Sequence, residues 1–242
     1  MLKTFSITDI GKTRKINQDY VFTSERAMGN LPNLFIVADG MGGHKAGDYA
    51  SRCAVETVCE EITKSMEKEP VVVLRKAIEA ANERVYQKAQ EDASYEGMGT
   101  TMVAATCLGN CLQVANVGDS RLYVVGEEIR QITQDHSLVE EMVRMGAMDR
   151  VTAQNHSKKN IITRAIGASE KVEIDFFSVD IKEGESILLC SDGLTNMLED
   201  EEIRMIMLGQ RDVVEKVQTL VWEANKRGGV DNITVVLIEP VL

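Results

Sequence analysis

Residues 100–133, TTMVAATCLGNCLQVANVGDSRLYVVGEEIRQIT, constrain the fold more than any other stretch. Short apolar runs follow one another with only a few turn residues between them. Gly109-Asn110 and Gly126-Glu127 read as hairpin turns. A parallel pair needs a crossover of a dozen or more residues, which these gaps cannot hold. The run is therefore expected to be a meander of antiparallel strands, and a βαβ alternation is excluded there.

Helical periodicity frames this region. Ala50, Cys53, Ala54, Val58 and Ile62 share one face of a helix predicted over 46–66. Pro70 suits the first turn of a second helix with the stripe Leu74, Ala77, Ile78, Ala81, Val85 and Ala89. The two are expected to pack together. A short helix over 137–146 is predicted with Leu138, Met142 and Met145 inward. Another, over 212–226, carries Val213, Val214, Val217, Leu220, Val221 and Ala224 on one side. Further strands are predicted at 4–10, 20–23, 34–38, 172–181, 185–190 and 232–238, and 148–170 reads as a polar surface loop. Such an α+β order is neither βαβα nor a clean all-β barrel, and it could place helices over the outer faces of antiparallel sheets. At 242 residues and 44% hydrophobic content, 1–242 is expected to form a single domain.

Charge and cysteine usage narrow the function classes. The 27 Lys+Arg against 38 Asp+Glu give a net charge of -11, which argues against nucleic-acid binding, and no basic, aromatic-lined track suits a nuclease. There is no run of 18 apolar residues, and MLKTFSITDIGKTRKINQD is not a signal peptide. No membrane attachment and a cytoplasmic location are expected. Cys53, Cys59, Cys107, Cys111 and Cys190 are odd in number, sit in apolar patterns and read as reduced core residues. The three histidines are too scattered for a zinc site. His136 reads as a local structural residue and His156 as exposed.

One pattern points to chemistry. The apolar run LFIVA stops on Asp39, followed by GMGG as a turn. Taken alone, Asp39 could face a ligand or cap the next helix. The pattern recurs in NVGDSR at Asp119, LLCSDGLTN at Asp192 and GGVDNIT at Asp231. If the strands lie side by side, four carboxylates converge at one rim. They would repel one another unless a cation neutralised them. Oxygen ligands without histidine or cysteine suit Mg²⁺ or Mn²⁺ rather than structural zinc. Two such ions can activate water and stabilise a transferring phosphoryl group. Arg14, in GKTRKINQD, is either a bidentate phosphate clamp or part of an ordinary solvated patch with Lys12 and Lys15.

The stretches RKINQD (14–19), VADGMGGHKAG (37–47), GMGTTMVAA (97–105), ANVGDSRLY (115–123), QITQDHSLV (131–139), ITRAIG (162–167), LLCSDGLTN (188–196) and GGVDNITVV (228–236) occur in this order across nearly the whole chain. Together they identify a resemblance to the metal-dependent serine/threonine protein phosphatases of the type 2C group, in their compact bacterial form. The resemblance implies a four-layer α/β/β/α sandwich, with two central antiparallel β-sheets flanked by helix pairs and a flap at about 148–170. It implies two Mn²⁺ or Mg²⁺ ions, bridged by Asp39 and held further by the Gly40 carbonyl, Asp192 and Asp231. Asp119, with Asp192, would hold a third, weaker ion. Arg14 would bind phosphate and, with Asp39, Asp192 and Asp231, form the catalytic set. Asp19 would hold metal-bound waters behind the ligands, and Asn232, beside Asp231, either orients the metal site or makes a turn hydrogen bond.

The implied reaction is attack by a metal-activated water on phosphoserine or phosphothreonine, without a phosphoenzyme. Animal-type relatives carry a histidine where this chain has Met41. His44 is a weak substitute, and a metal-bound water is the expected proton donor. The implied partners are phosphorylated proteins, among them a cognate serine/threonine kinase and its substrates, met by a monomer. Two other readings stand beside this one. One is a metal phosphatase of small phosphorylated molecules or of an anti-sigma-factor antagonist. The other is an inactive regulatory module that keeps the fold.

Overall fold

The computed structural model describes residues 2–43, 46–154 and 156–240. In chain order the strands are β1 (Leu2–Asp9), β2 (Asp19–Ser24), β3 (Leu34–Met41), β4 (Gly99–Thr100), β5 (Met102–Leu108), β6 (Cys111–Val117), β7 (Arg121–Val125), β8 (Ile129–Gln131), β9 (Asp175–Asp180), β10 (Ser186–Cys190) and β11 (Ile233–Pro240). The helices are α1 (Ala46–Lys64), α2 (Pro70–Glu91), α3 (Leu138–Arg144), α4 (Arg150–Gln154), α5 (Asp192–Thr195), α6 (Asp200–Leu208) and α7 (Val213–Lys226). No helix among the described residues is long and apolar enough to cross a membrane.

Two antiparallel sheets form the centre. One has the order β1-β11-β10-β7-β8, the other β2-β3-β5-β6-β9 with β4 on β3. Alternation along each strand builds the layers. On β3, Leu34, Ile36 and Ala38 join the side chains of α1 and α2, while Phe35 and Val37 face the other sheet. On β10, Leu188 and Cys190 meet α6 and α7, while Ile187 and Leu189 face inward. Both faces of the central strands are covered, so their sequences are continuous apolar runs. Each large inward side chain, such as Phe35, contributes about 1.5–3 kcal/mol by leaving water. The result is the expected α/β/β/α sandwich.

Several boundaries and one topological point differ from expectation. The 100–133 run is not one meander. β5 and β6 pair across Gly109-Asn110, and β7 pairs with β8, but β6 and β7 lie in different sheets. Gly118–Ser120 is therefore a crossing between sheets, because a sandwich core needs strands on both of its faces. α1 stops at Lys64, and α7 starts at Val213 because Asp212 and Glu215 close a reciprocal capping box around its first turn. α3 buries Val139, and Met145 stands 73% exposed, since the helix ends at Arg144 and turns its tail to solvent. The polar 148–170 segment contains the short helix α4. All five cysteines are unpaired, but Cys59 and Cys111 are only half-buried.

The antiparallel register decides where chemistry can sit. Asp9 lies opposite Ile233, Cys190 opposite Val235 and Arg121, Asp19 opposite Asp39, and Met102 opposite Val117. One rim thus collects the ends of β1, β3, β6 and β10 and the starts of β2, β5, β7 and β11.

Candidate metal centre

Each aspartate reaches this rim by a different local structure. Asp39 is not at a strand end. β3 runs on through Gly40 to Met41, and the Asp39 N–H donates to Thr101 Oγ1 at 2.9 Å while its carbonyl accepts from Thr100 Oγ1 at 2.9 Å. Gly40 is there for proximity rather than for a turn. A Cβ on it would collide with the Gly47 carbonyl at the start of α1. Asp192 likewise opens a helix, α5, instead of a turn, and a Cβ on Gly193 would overlap the Asn232 carbonyl. Gly193→Ala is therefore expected to cost roughly 1–3 kcal/mol by overpacking. Urea denaturation checks it, and a midpoint equal to wild type would refute the close approach.

Asp231 starts the turn before β11, and its Oδ1 accepts the Asn232 N–H at 2.8 Å. Asn232 staples the loop between β1 and β2. Its Nδ2 donates to the Ile10 carbonyl at 2.9 Å and the Ile16 carbonyl at 3.1 Å, and its Oδ1 accepts the Gln18 N–H at 2.9 Å. That loop brings Arg14 over the rim, where one guanidinium nitrogen donates to Asp231 Oδ2 at 2.7 Å. Arg14 remains about half exposed, 49% for its side chain, so it can also meet a ligand.

Asp19 is the buried member, 5% exposed. Its Oδ2 accepts from Ser191 Oγ at 2.8 Å and Thr234 Oγ1 at 2.6 Å, bonds that run from one sheet to the other. Its Oδ1 has no partner, and neither has the buried Oδ1 of Asp192, whose Oδ2 accepts from Asn196 Nδ2 at 2.9 Å. Asp119 sits on the inter-sheet crossing, beside a cavity of about 360 Å³ whose walls include Asp192, Asn196, Glu140, Arg150 and Lys159.

The electrostatics follow from this crowding. Burial, then repulsion from Asp19, Asp192, Asp119 and Asp231, holds the Asp39 carboxyl well above the usual range. Burial lifts Asp119 to about 8, with Asp192 and Asp135 adding to it. Asp19 rises to about 7 through burial, against the two hydroxyl donors, and Asp192 to about 6 through burial and the charge of Asp231. Arg14 is held charged by its bond to Asp231.

A divalent cation fits this donor set. The ligating atoms are hard oxygens, two buried carboxylate oxygens lack a partner, and the shared repulsion is of the kind a cation relieves. The carboxylates are gathered but not closed around one point. Among the described residues no three histidine, cysteine or acidic side chains stand in ready ligating geometry.

The protein phosphatase 2C family model matches residues 12–232. The chain belongs to that family. The serine/threonine phosphatase stp of Listeria monocytogenes is 43% identical over 239 residues, covering 96% of this chain and 93% of its own. The S. agalactiae serine/threonine phosphatase structure superposes with a TM-score of 0.90 at 38% identity, covering 98% of this chain and 99% of that one. The catalytic domain of the phosphatase PstP, solved with 2 manganese ions, gives a TM-score of 0.86 at 31% identity over 98% and 97% of the two chains.

Within this 2C-family fold, the expected site residues Arg14, Asp19, Asp39, Gly40, Asp119, Asp192, Asp231 and Asn232 all lie on the one rim. His44 lies outside the described residues. His156 is half-buried, its Nδ1 accepting the Lys158 N–H at 3.1 Å. Arg164 pairs with Asp175 and Glu173, both at 3.0 Å, and so forms a structural ion pair. Sequence reading missed Ser191 and Thr234, which hold Asp19, Thr101, which holds Asp39, and Asn196, which holds Asp192. Only Asn196 had a local signal, lying four residues after its partner on one helical face. Ser191 is 172 positions from Asp19, and no periodicity links them.

Proposed function

We propose that this chain is a metal-dependent protein phosphatase that hydrolyses phosphoserine and phosphothreonine in proteins, reversing a serine/threonine kinase. The observation that carries the reading is the convergence of Asp39, Asp192 and Asp231 with Arg14 on one rim of a 2C-family sandwich. Relatives named serine/threonine phosphatase, and the manganese in the PstP structure, support two Mn²⁺ or Mg²⁺ ions here.

In this reading Asp39, Asp192 and Asp231 would hold the two ions, with the Gly40 carbonyl as a further ligand. Asp119 and Asp192 would hold a third, weaker ion. Bound ions supply a water acidic enough to ionise near neutral pH and positive charge for the phosphoryl oxygens. Arg14 orients the phosphate with its planar fork, and its positive charge meets the charge that builds on the phosphoryl oxygens. Asp19 supports the ligands from below, its orientation set by Ser191 and Thr234. Asn232 holds the Arg14 loop in place. Segment 148–170, with α4, forms the flap, and the cavity beneath it lies next to Asp119 and Asp192, where the peptide flanking the phosphoresidue passes. The chain acts as a cytoplasmic monomer on phosphoproteins, among them a cognate kinase.

The direct test is phosphate release from a phosphothreonine peptide, first in EDTA and then with Mn²⁺ or Mg²⁺, beside a small phosphate ester. Release only with metal, and with higher kcat/KM for the peptide, is expected. Preference for the small ester would move the function to small phosphorylated molecules. No release from either, with metal bound, would leave a regulatory module.

A further inference from the structure

His136 is buried, 6% exposed, and has polar partners on every side. Two of its hydrogen bonds go to one residue. Ring Nδ1 accepts the Gly118 N–H at 3.0 Å, and the His136 backbone N–H donates to the Gly118 carbonyl at 3.0 Å. Gly118 precedes Asp119. It has φ +104, and a Cβ there would stand 2.6 Å from Thr101 Cγ2. The Asp119 loop is therefore held between Thr101 on one side and His136 on the other.

Because Nδ1 accepts, the neutral ring carries its proton on Nε2. Nε2 faces Asp175 Oδ2 at 3.0 Å. Asp175 Oδ1 accepts from an Arg164 guanidinium nitrogen at 3.0 Å, so ring and arginine share one carboxylate. Arg164 lies on the return of the segment that carries α4. The backbone around His136 holds the same return: the Thr163 N–H donates to the His136 carbonyl at 2.8 Å and the Leu138 N–H to the Ile161 carbonyl at 2.8 Å. One step on, Ile166 and Thr100 exchange backbone bonds of 2.9 and 3.0 Å, beside the threonines that hold Asp39. One imidazole thus has the crossing loop on its Nδ1 side and the root of the flap on its Nε2 side.

We propose that His136 is a positioning residue that fixes the Asp119 carboxylate and the C-terminal root of the flap as one unit. Ion affinity at Asp119 and substrate handling under the flap then change together. The ion half rests on the reading of Asp119 as a ligand given above. The mechanical half rests on the hydrogen bonds alone. A ring that only filled space would leave both properties intact when replaced by a side chain of similar volume.

The test uses His136→Leu, His136→Asn, Asp175→Asn and Asp119→Asn in the full chain. The asparagine amide oxygen at 136 can replace Nδ1 as acceptor for Gly118 but does not reach Asp175. Three readouts apply: amide hydrogen exchange over 117–120 and 156–164, calorimetric titration with Mn²⁺, and kcat and KM on a phosphothreonine peptide. His136→Leu is expected to speed exchange in both segments. It should also weaken the weakest Mn²⁺ binding step and lower kcat/KM, each by roughly tenfold, the usual size for a partner behind a ligand. His136→Asn should restore protection at 117–120 and the Mn²⁺ isotherm, but not protection at 156–164. Asp175→Asn should loosen 156–164 and raise KM with the isotherm near wild type. If the leucine variant does not fold, His136→Asn and Asp119→Asn still give opposite patterns: the first loosens 156–164 with a wild-type isotherm, and the second changes the isotherm. The proposal is overturned if His136→Asn keeps wild-type exchange at 156–164, or if every variant lowers thermal stability with wild-type exchange in both segments. An unchanged isotherm in Asp119→Asn overturns the ion half and the Asp119 reading with it, while the exchange pattern decides the mechanical link separately.

Discussion

Asp39→Asn is expected to lower kcat on a phosphothreonine peptide by about 10³-fold or more, the loss of about 4 kcal/mol of transition-state stabilisation. Asp39 is the carboxylate on which the charges of Asp19, Asp192, Asp119 and Asp231 all act, so it stands at the electrostatic centre of the rim. An amide there keeps the shape and removes the charge that attracts cations. Stability should move the other way. In EDTA, the buried Asp39 carboxyl is repelled by its neighbours, and an amide relieves that cost. The variant should therefore melt above wild type in EDTA while failing in the assay. Circular dichroism and thermal melts in EDTA, with phosphate release under saturating Mn²⁺, measure both signs. Near-normal turnover would sink the assignment of Asp39 to the ions.

Removing metal should destabilise the protein in a pH-dependent way. The folded-state values of Asp192, Asp19 and Asp119 are lifted to about 6, about 7 and about 8, well above the ordinary range of an aspartate, about 4. Between roughly pH 4 and pH 8 the folded chain thus holds more protons than the unfolded one. Its stability falls as pH rises through that window. In EDTA the melting temperature should decline from pH 5.5 to pH 8.5. Mn²⁺ replaces the protons as the neutralising charge and should remove most of the decline, so the gap between the two melts widens with pH. One ion at 100 times its Kd adds about 2.7 kcal/mol, or roughly 5–10 °C for a chain of this size. A gap that narrows with pH would place the ions away from these carboxylates.

The helices were legible because their signal is local. The stripe from Leu74 to Ala89 and the one from Val213 to Ala224 follow the 3.6-residue period, and both helices form close to the expected bounds. Met145 shows the limit of that signal: periodicity put it inward, but the helix stops one residue short of it. The Asp-Gly pairs show another limit. Both were expected as turns after strands, yet Gly40 continues a strand and Gly193 lies in a helix. Their glycines answer to a backbone carbonyl from a distant segment, which no local pattern reveals.

By itself, the sequence determined the alternation that covers both faces of the strands, the aspartates that recur beside glycine, and the ordered motifs of the family. These depend on residue type and short spacing. Only the tertiary structure decided that β6 and β7 part into different sheets, so that Asp119 stands on the crossing at the rim. It also decided that Ser191 and Thr234 reach across the sandwich to Asp19, that Asn232 pins the Arg14 loop, and that His136 joins Gly118 to Asp175. Those contacts join residues far apart in the chain. They exist only because antiparallel register and sheet stacking bring the strand ends to one edge.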